Sequence, residues 1–385
     1  MIKHLTIQNY KSVQDLNIEL GQFNVFIGEN GCGKTNILEG IAIGSAAISN
    51  KLDDEFLAAR GVRVTEKELM KSAFEYNKSQ EIKLSIFDLE QLGYEIQLIS
   101  NNDSFFFDCI NRLKKGEETI FKFGTRRSIP HDIHFDNKKL DEELKEISIF
   151  LDGISPFLNR FEDNNHLQNF LCFCPENYFL RRFEEEIQIK PLGIRGQGLF
   201  KHIKDLYKHK PETLAKIQEK LTLISWFEGF EIPTDLMFSE RRINIKDRYL
   251  APELQFFDQR SSNEGFLYLL FYFTLFISEF TPKFFAIDNI DNALNPKLCS
   301  KLIEVLSGIV KENQKQVILT THNPAILDGL DLTDDTQRLF VIYRNVDGHT
   351  KAKRVMPQKT VQGVEPVRLS EAFLRGYIGG LPKNF

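Results

Sequence analysis

The sequence has no excess of positive charge. Lys and Arg number 49 against 54 Asp and Glu, a net charge of −5, which argues against a chain that coats nucleic acid non-specifically by neutralising phosphates. A basic groove would have to be local, and the pairs Arg126–Arg127, Arg181–Arg182 and Arg241–Arg242 read first as solvated or ion-paired surface. Cysteine is scarce. Cys32, Cys109, Cys172, Cys174 and Cys299 are odd in number and scattered, so no disulfide framework is implied. Cys172 and Cys174 are too close for a zinc pair and no His-rich stretch follows, so they read as alternating positions of a strand. The strongly apolar stretch Phe266–Ile277 falls short of the about 20 residues that span a bilayer and reads as a buried helix. MIKHLTIQNY, at the start, carries no apolar leader, so the expected compartment is the cytoplasm, with no membrane partner. Repeats and low-complexity linkers are also missing.

What is present is an ordinary globular composition, 42% hydrophobic and 27% charged over 385 residues, enough for one large domain or two average ones. The 34 phenylalanines predict large buried aromatic interfaces. Residues 2–8 and 13–20 alternate apolar and polar side chains, as half-buried strands do. Phe23–Ile27 is a short apolar strand, followed by a Gly-rich turn and a helix with Ile37, Leu38 and Ile41 on one face. A charged helical stretch is expected from about Lys51 to Phe74, and strands near 82–88, 93–99 and 104–123. A polar loop over 124–137 and a helix over Lys138–Phe161 should follow. Toward the C-terminus, helix Phe266–Glu279 precedes strand Phe284–Ile287. Asn295 is placed to cap a helix with Pro296 at its first position, running to about Val310. Val317–Thr321 and Phe340–Arg344 read as strands.

Gly28-Glu-Asn-Gly-Cys-Gly-Lys34-Thr35 fits G-x-x-x-x-G-K-[ST] between a strand and a helix. Glycines let the backbone wrap an anion, and the loop and helix-start amides then face it. Gly28, Asn30, Gly31 and Gly33 would shape that cradle. Lys34 would neutralise β- and γ-phosphates, and Thr35 would ligate Mg²⁺. Such a loop needs an acid at the end of a neighbouring strand, and Phe284-Phe-Ala-Ile-Asp288 supplies one. An Asp buried alone would be costly, which favours a metal-side role for Asp288. His322, after Val317–Thr321 in TTHNP, is placed to sense a γ-phosphate through an N–H donor.

The order of these motifs resembles the ABC ATPase superfamily, and within it the RecF/SMC-like and OLD-like ATPases. LTIQNYKSVQDLNIELGQFNVFIGENGCGKTNILE is similar to their N-terminal segment, CFCPEN (172–177) to their Q-loop region, Ser262-Asn-Glu-Gly265 to their signature, DNIDNALNP (288–296) to Walker B and D-loop, TTHNPAILD to the switch histidine, and LSEAFLRGYIGGLP (369–382) to the tail of many stand-alone OLD-like proteins. The likeness is weakest over about 51–165. It implies an α/β, ABC-type P-loop NTPase head with a mixed sheet, an N-terminal antiparallel β lobe and a helical insertion. It also implies one head over 1–385, with a nucleotide core in 1–50 and 165–385 and the lobe plus insertion in 51–165. ATP and Mg²⁺ are the implied cofactors. Lys11 and Asn36 join the implied nucleotide contacts, Glu176 the metal side, and Ser262, Asn263 and Gly265 of one copy the nucleotide of another.

Two positions depart from the family pattern. Asn289 stands where the water-orienting Glu usually follows the Walker B Asp, and an amide cannot take a proton; loss of a general base costs about 10²–10⁴ in rate. Asn263 occupies the usual signature serine slot, with Ser262 displaced by one, so either could reach a partner's γ-phosphate. The family implies closure around ATP into a homodimer or higher oligomer, here with slow hydrolysis. The residues after TTHNP contain neither the acidic cluster of a TOPRIM nuclease nor an HNH pattern, so a separately encoded effector of HNH or TOPRIM type is expected. That arrangement resembles ATPase subunits of anti-phage systems such as Septu and PARIS. The competing readings are a RecF-like DNA-repair ATPase, with DNA as partner, and a scaffold that holds ATP without turnover.

Overall fold

The computed structural model describes residues 1–74, 81–100, 107–124, 166–183, 190–233, 240–251, 253–254, 256–357 and 367–381. Strands β1 (Ile2–Tyr10) and β2 (Val13–Glu19) alternate buried and outward side chains, and they pair antiparallel as the period-two pattern requires. β3 (Phe23–Ile27) is buried at every residue and enters a different sheet. With β4 (Glu81–Asp88), β5 (Leu92–Ile99), β6 (Asp108–Lys115) and β7 (Glu118–Phe123), the first two strands form a six-stranded antiparallel lobe in the order β2-β1-β4-β5-β6-β7. The lobe packs on helix α1 (Lys34–Ile48). Gly40 and Gly44 let them approach closely: a Cβ at Gly40 would lie 3.0 Å from Ile7 Cδ1, and one at Gly44 3.3 Å from Ile96 Cδ1.

The central sheet has the order β15-β14-β3-β13-β12-β8, from β8 (Cys172–Phe173), β12 (Phe284–Ile287), β13 (Gln316–Thr321), β14 (Gln337–Arg344) and β15 (Thr350–Val355). All pairings are parallel except β14 with the edge strand β15, so the sheet is mixed. Parallel strands buried on both faces need near-continuous apolar runs, which FFAI, VIL and FNVFI supply, the last broken only by Asn24, whose side chain bonds the Gly21 and Val317 carbonyls. After α4 (Asn177–Arg182), α5 (Leu199–His209) and α6 (Pro211–Leu221), helix α7 (Glu264–Ile277) crosses the face opposite α1, with Phe266, Phe271, Phe273 and Phe276 fully buried. Its aromatic packing continues to Phe173 and Phe285. Many of the phenylalanines among the described residues are thus core.

Several expectations shift. The charged helix foreseen over 51–74 is two short helices, α2 (Asp54–Ala59) and α3 (Lys67–Met70). Gly61, at φ 89°, brings the backbone against Cys172, where a Cβ would meet the carbonyl at 2.5 Å, and Val62, Val64 and Thr65 then disfavour helix. Residues 108–123 form two strands turning at Gly116 (φ 60°). A three-stranded sheet, β9 (Phe227–Glu231), β10 (Asn244–Asp247) and β11 (Phe257–Asp258), was not legible in the sequence, and neither was β15. The helix over 138–161, nearly all of the 124–137 loop and the Arg126–Arg127 pair lie outside the described residues. Among those described, no helix is long and apolar enough to cross a membrane.

Candidate functional site

Parallel strands deliver their carboxyl ends to one edge of a sheet. Here β8, β12, β13, β3 and β14 lead at that edge to Cys174, Asp288, His322, Gly28 and Asn345 respectively. The register Val317↔Phe23 through Thr321↔Ile27 sets the Gly28 turn beside His322, and Ile287↔Leu319 sets Asp288 beside Thr320.

The turn itself depends on glycine. Gly31 and Gly33 have φ of 74° and 106°, where a side chain is strained. A Cβ on Gly28 would meet the Ile342 carbonyl at 2.1 Å, and one on Gly33 the Thr350 hydroxyl at 2.1 Å. Thr350 braces the turn from outside: its hydroxyl donates to the Cys32 carbonyl at 2.8 Å and lies 2.7 Å from Ser12 Oγ, which accepts from Asn36 Nδ2 at 2.7 Å. Gly33 stands at the N-cap of α1, and no side chain caps the helix. The helix start therefore offers amide donors and positive dipole to an anion.

Lys34 is buried in this turn. Its ammonium donates to the Gly28 and Glu29 carbonyls at 2.9 and 3.0 Å and lies 3.4 Å from His322 Nδ1. Burial lowers its pKa, while Cys32 and the Asp288 carboxylate oppose the shift. With Nδ1 accepting from the ammonium, the ring proton would sit on Nε2. Desolvation, then the Lys34 charge, holds the His322 pKa below its ordinary value, leaving a neutral ring with one N–H donor.

Thr35 Oγ1 donates to Asp288 Oδ2 at 2.9 Å, and Thr320 donates to Oδ1 of the same carboxylate. Asp288 is half-buried with two hydroxyl partners, so the cost expected of a lone buried acid is offset without a cation. The hydroxyl and carboxylate are adjacent, as a shared Mg²⁺ with phosphate oxygens requires, so the donor set fits the ion. Glu176 is not joined to them: its carboxylate pairs with Arg195 at 3.4 Å. Among the described residues no group of three His, Cys, Asp or Glu could hold a metal; a site completed by phosphate does not need one.

Asn289 has a left-handed backbone, φ 57°, and its N–H donates to Thr320 Oγ1 at 2.9 Å. Asp291 accepts from Thr321 Oγ1 at 2.6 Å.

A cavity of about 470 Å³ opens beside the turn, lined by Lys11, Ser12, Asn36, Arg63, Phe74 and Arg344 among others. Lys11 and Arg63 both pair with the fully buried Glu39 at 2.6 Å. Arg63 also donates to Asn36 Oδ1 at 2.9 Å, and Arg344 to the Gly31 carbonyl at 2.9 Å. Arg63 and Arg344 were missed in the sequence. Arg63 sits in a segment with no motif, whereas Arg344 ends a strand that had been foreseen.

The signature-like residues lie elsewhere. Asn263 caps α7, its Oδ1 accepting from Phe266 N at 2.8 Å, and its side chain is exposed, whereas Ser262 is buried. Of the two, Asn263 faces outward. Gly265 packs against the turn after Asp288, where its missing Cβ would lie 3.3 Å from the Ala293 carbonyl. Among the described residues, no hydrogen bond joins Ser262, Asn263 or Gly265 to Gly28–Thr35. Arg181, Arg182, Arg241 and Arg242 all have partners within the chain, so these pairs do not form a bare basic groove.

Comparison with known proteins agrees with this architecture. The chain is 28% identical over 162 residues to the DNA replication and repair protein RecF of Leptospira interrogans, covering 42% of this chain and 41% of that one. It is 45% identical over 51 residues to RecF of Clostridium tetani, covering 13% and 14%. The chain thus spans about two fifths or less of the length of these curated relatives. Among solved structures, an SMC head bound to the C-winged helix domain of ScpA matches with a TM-score of 0.57 at 15% identity, covering 93% of this chain and 98% of that one. An SMC head with an extended coiled coil, bound to the C-terminal domain of ScpA from Pyrococcus furiosus, matches with a TM-score of 0.50 at 15% identity, covering 92% and 96%. The family model described as AAA domain, putative AbiEii toxin, Type IV TA system matches residues 23–328, from the first core strand past His322. The chain belongs to that family and has the fold of the SMC heads.

Proposed function

We propose that this chain binds ATP with Mg²⁺ in the Gly28–Thr35 turn and uses it to close two copies around the nucleotide, turning it over slowly. The observation that carries the reading is the 2.9 Å contact of Thr35 with Asp288 beside the buried Lys34. It joins loop, metal side and phosphate-neutralising charge in one place. Bound ATP and Mg²⁺ supply the reacting phosphate and its charge compensation. Lys34 would leave the Gly28 and Glu29 carbonyls for the phosphates, Thr35 and Asp288 would hold the metal, and the His322 ring N–H would report the γ-phosphate. The cavity beside Phe74 takes the rest of the nucleotide.

Asn289 offers no base, which favours long occupancy over rapid turnover. In this reading ATP is a bridging ligand that raises affinity between copies by mass action. Asn263 and Gly265 of one copy cover the nucleotide of the other. The family description supports a switch that acts on another protein. We assign it to anti-phage defence, with a separately encoded nuclease of HNH or TOPRIM type as effector. A second reading, ATP-dependent action on duplex DNA, is favoured by the RecF similarity.

Lys34→Ala should weaken ATP binding about a hundredfold or more, since it removes a buried charge aimed at the phosphates, with the chain still folded. Unchanged affinity by calorimetry removes the phosphate-loop assignment. Co-purification with the product of an adjacent nuclease gene supports the first reading; duplex binding that appears only with ATP supports the second.

A further inference from the structure

The turn that leads into α7 is held by the Asp258 carboxylate, which accepts from the Arg260 and Ser261 amides at 3.0 and 3.1 Å, and by Arg181. Arg181 lies in helix α4 (Asn177–Arg182), which follows β8 and Glu176. Its NH1 donates to the carbonyls of Arg260 at 2.5 Å and Ser262 at 2.8 Å, with the Gln259 carbonyl at 3.4 Å. Its Nε donates to Asn177 Oδ1 at 3.2 Å, and Asn177 Nδ2 donates to the Glu264 carboxylate. Arg241 ties the other end of α4, donating to the Phe183 carbonyl at 3.1 Å, and the buried Gln259 donates to the Arg241 carbonyl at 3.1 Å. Arg181 thus spends its guanidinium on the shape of the backbone at 259–262.

In a trans peptide the C=O and N–H point in opposite directions. Turning the Ser262 carbonyl toward Arg181 therefore turns the Asn263 N–H away from it. Asn263 Oδ1 is already used on Phe266 N, which leaves its amide NH₂, its own N–H and the first amides of α7 as donors at the exposed end of a 14-residue helix. The Ala293–Leu294 turn flanks them. α4 is also tied to the first half of the site: it starts four residues beyond Phe173, whose carbonyl accepts from Asp288 N at 2.8 Å.

We propose that Arg181 is a positioning residue for the surface that serves a second copy's nucleotide, fixing the Ser262–Asn263 peptide so that its donors face outward, without touching the nucleotide of its own chain. The inference rests on the two-copy reading given above. Its ligand is the terminal phosphate of a nucleotide held by another copy. A lysine keeps the charge but not the planar guanidinium that holds the carbonyls through NH1 and Asn177 through Nε at once.

The test compares wild type, Arg181→Ala, Arg181→Lys and the neighbouring Arg182→Ala. ATP affinity is read by calorimetry at low protein concentration, thermal stability by melting, and self-association with Mg²⁺–ATP by sedimentation. Both Arg181 variants should bind ATP as wild type does. Their ATP-dependent association should weaken about tenfold or more, the fold-change of one charge-assisted hydrogen bond; Arg182→Ala should match wild type. If Arg181→Ala does not fold, Arg181→Lys must show the same split alone. Association equal to wild type in the folded variants overturns the inference, as does an equal loss of ATP affinity, which would place Arg181 on its own chain's nucleotide. A wild-type chain that binds ATP and stays monomeric overturns the two-copy reading and this inference with it, and the wild-type arm separates that failure from the others.

Discussion

Replacing Asn289 sets two calculable effects against each other. Its backbone sits at φ 57°, a region Asn tolerates and longer side chains occupy at a cost of about 1–2 kcal/mol. For a chain of this size that corresponds to a melting point lower by a few degrees, about 2–4 °C per kcal/mol in domains of 150–250 residues. Against this, a carboxylate in the water-orienting slot restores a general base, worth about 10²–10⁴ in rate, or roughly 3–5 kcal/mol of barrier. The kinetic gain is the larger effect, and the two are separable. Asn289→Glu and Asn289→Gln share side-chain length and backbone cost and differ in the carboxylate alone. Phosphate release at saturating Mg²⁺–ATP should be about a hundredfold faster in Asn289→Glu than in Asn289→Gln. Both should melt a few degrees below wild type, and Asn289→Gly, free at positive φ, should melt no lower than wild type and gain no rate. Equal rates in the Glu and Gln variants refute the reasoning and move water activation elsewhere. Asp291, held by Thr321, is then the next group to replace.

Two further outcomes are specific. Arg63→Ala removes a cation that links Glu39 to Asn36 and lines the cavity beside the loop. ATP affinity should fall about tenfold, one charge-assisted contact, and an unchanged dissociation constant would exclude Arg63 from the site. His202 is buried against Ser278 Oγ at 2.8 Å, and burial lowers its pKa to about 4. The unfolded chain, with a His pKa near 6.5, then takes up this proton first as pH falls. Stability should therefore be level above pH ~6.5 and decline through the window down to about pH 4, by at most roughly 3 kcal/mol. Denaturant midpoints against pH, with His202→Gln flattening that part of the curve, check this.

The strand–turn–helix at Phe23–Ile48 was legible because its signals are local: an apolar run, glycines where φ must be positive, and a Lys-Thr pair at a helix start. The Asn295 cap followed by Pro296 was legible for the same reason, its side chain accepting from Leu298 N as the pattern requires. The helix expected over 51–74 failed because apolar spacing does not register a close approach such as that of Gly61 to Cys172. β9 to β11 are short and their pairing spans residues 227–258, so no single window carries the signal.

By itself the sequence determined the chemistry on offer: a phosphate-binding turn, an acid at a strand end, a histidine after the next strand, and an amide where a base is usual. Each is written within a few adjacent residues. Tertiary structure decided which of these meet. Asp288 reaches Thr35 across 253 residues only because β12, β13 and β3 lie parallel in register. It also decided that Asn263 rather than Ser262 faces outward, and that Arg63 and Arg181 belong beside the functional segments. Hydrogen bonds between residues far apart in the chain depend on strand order and helix packing, which no local pattern encodes.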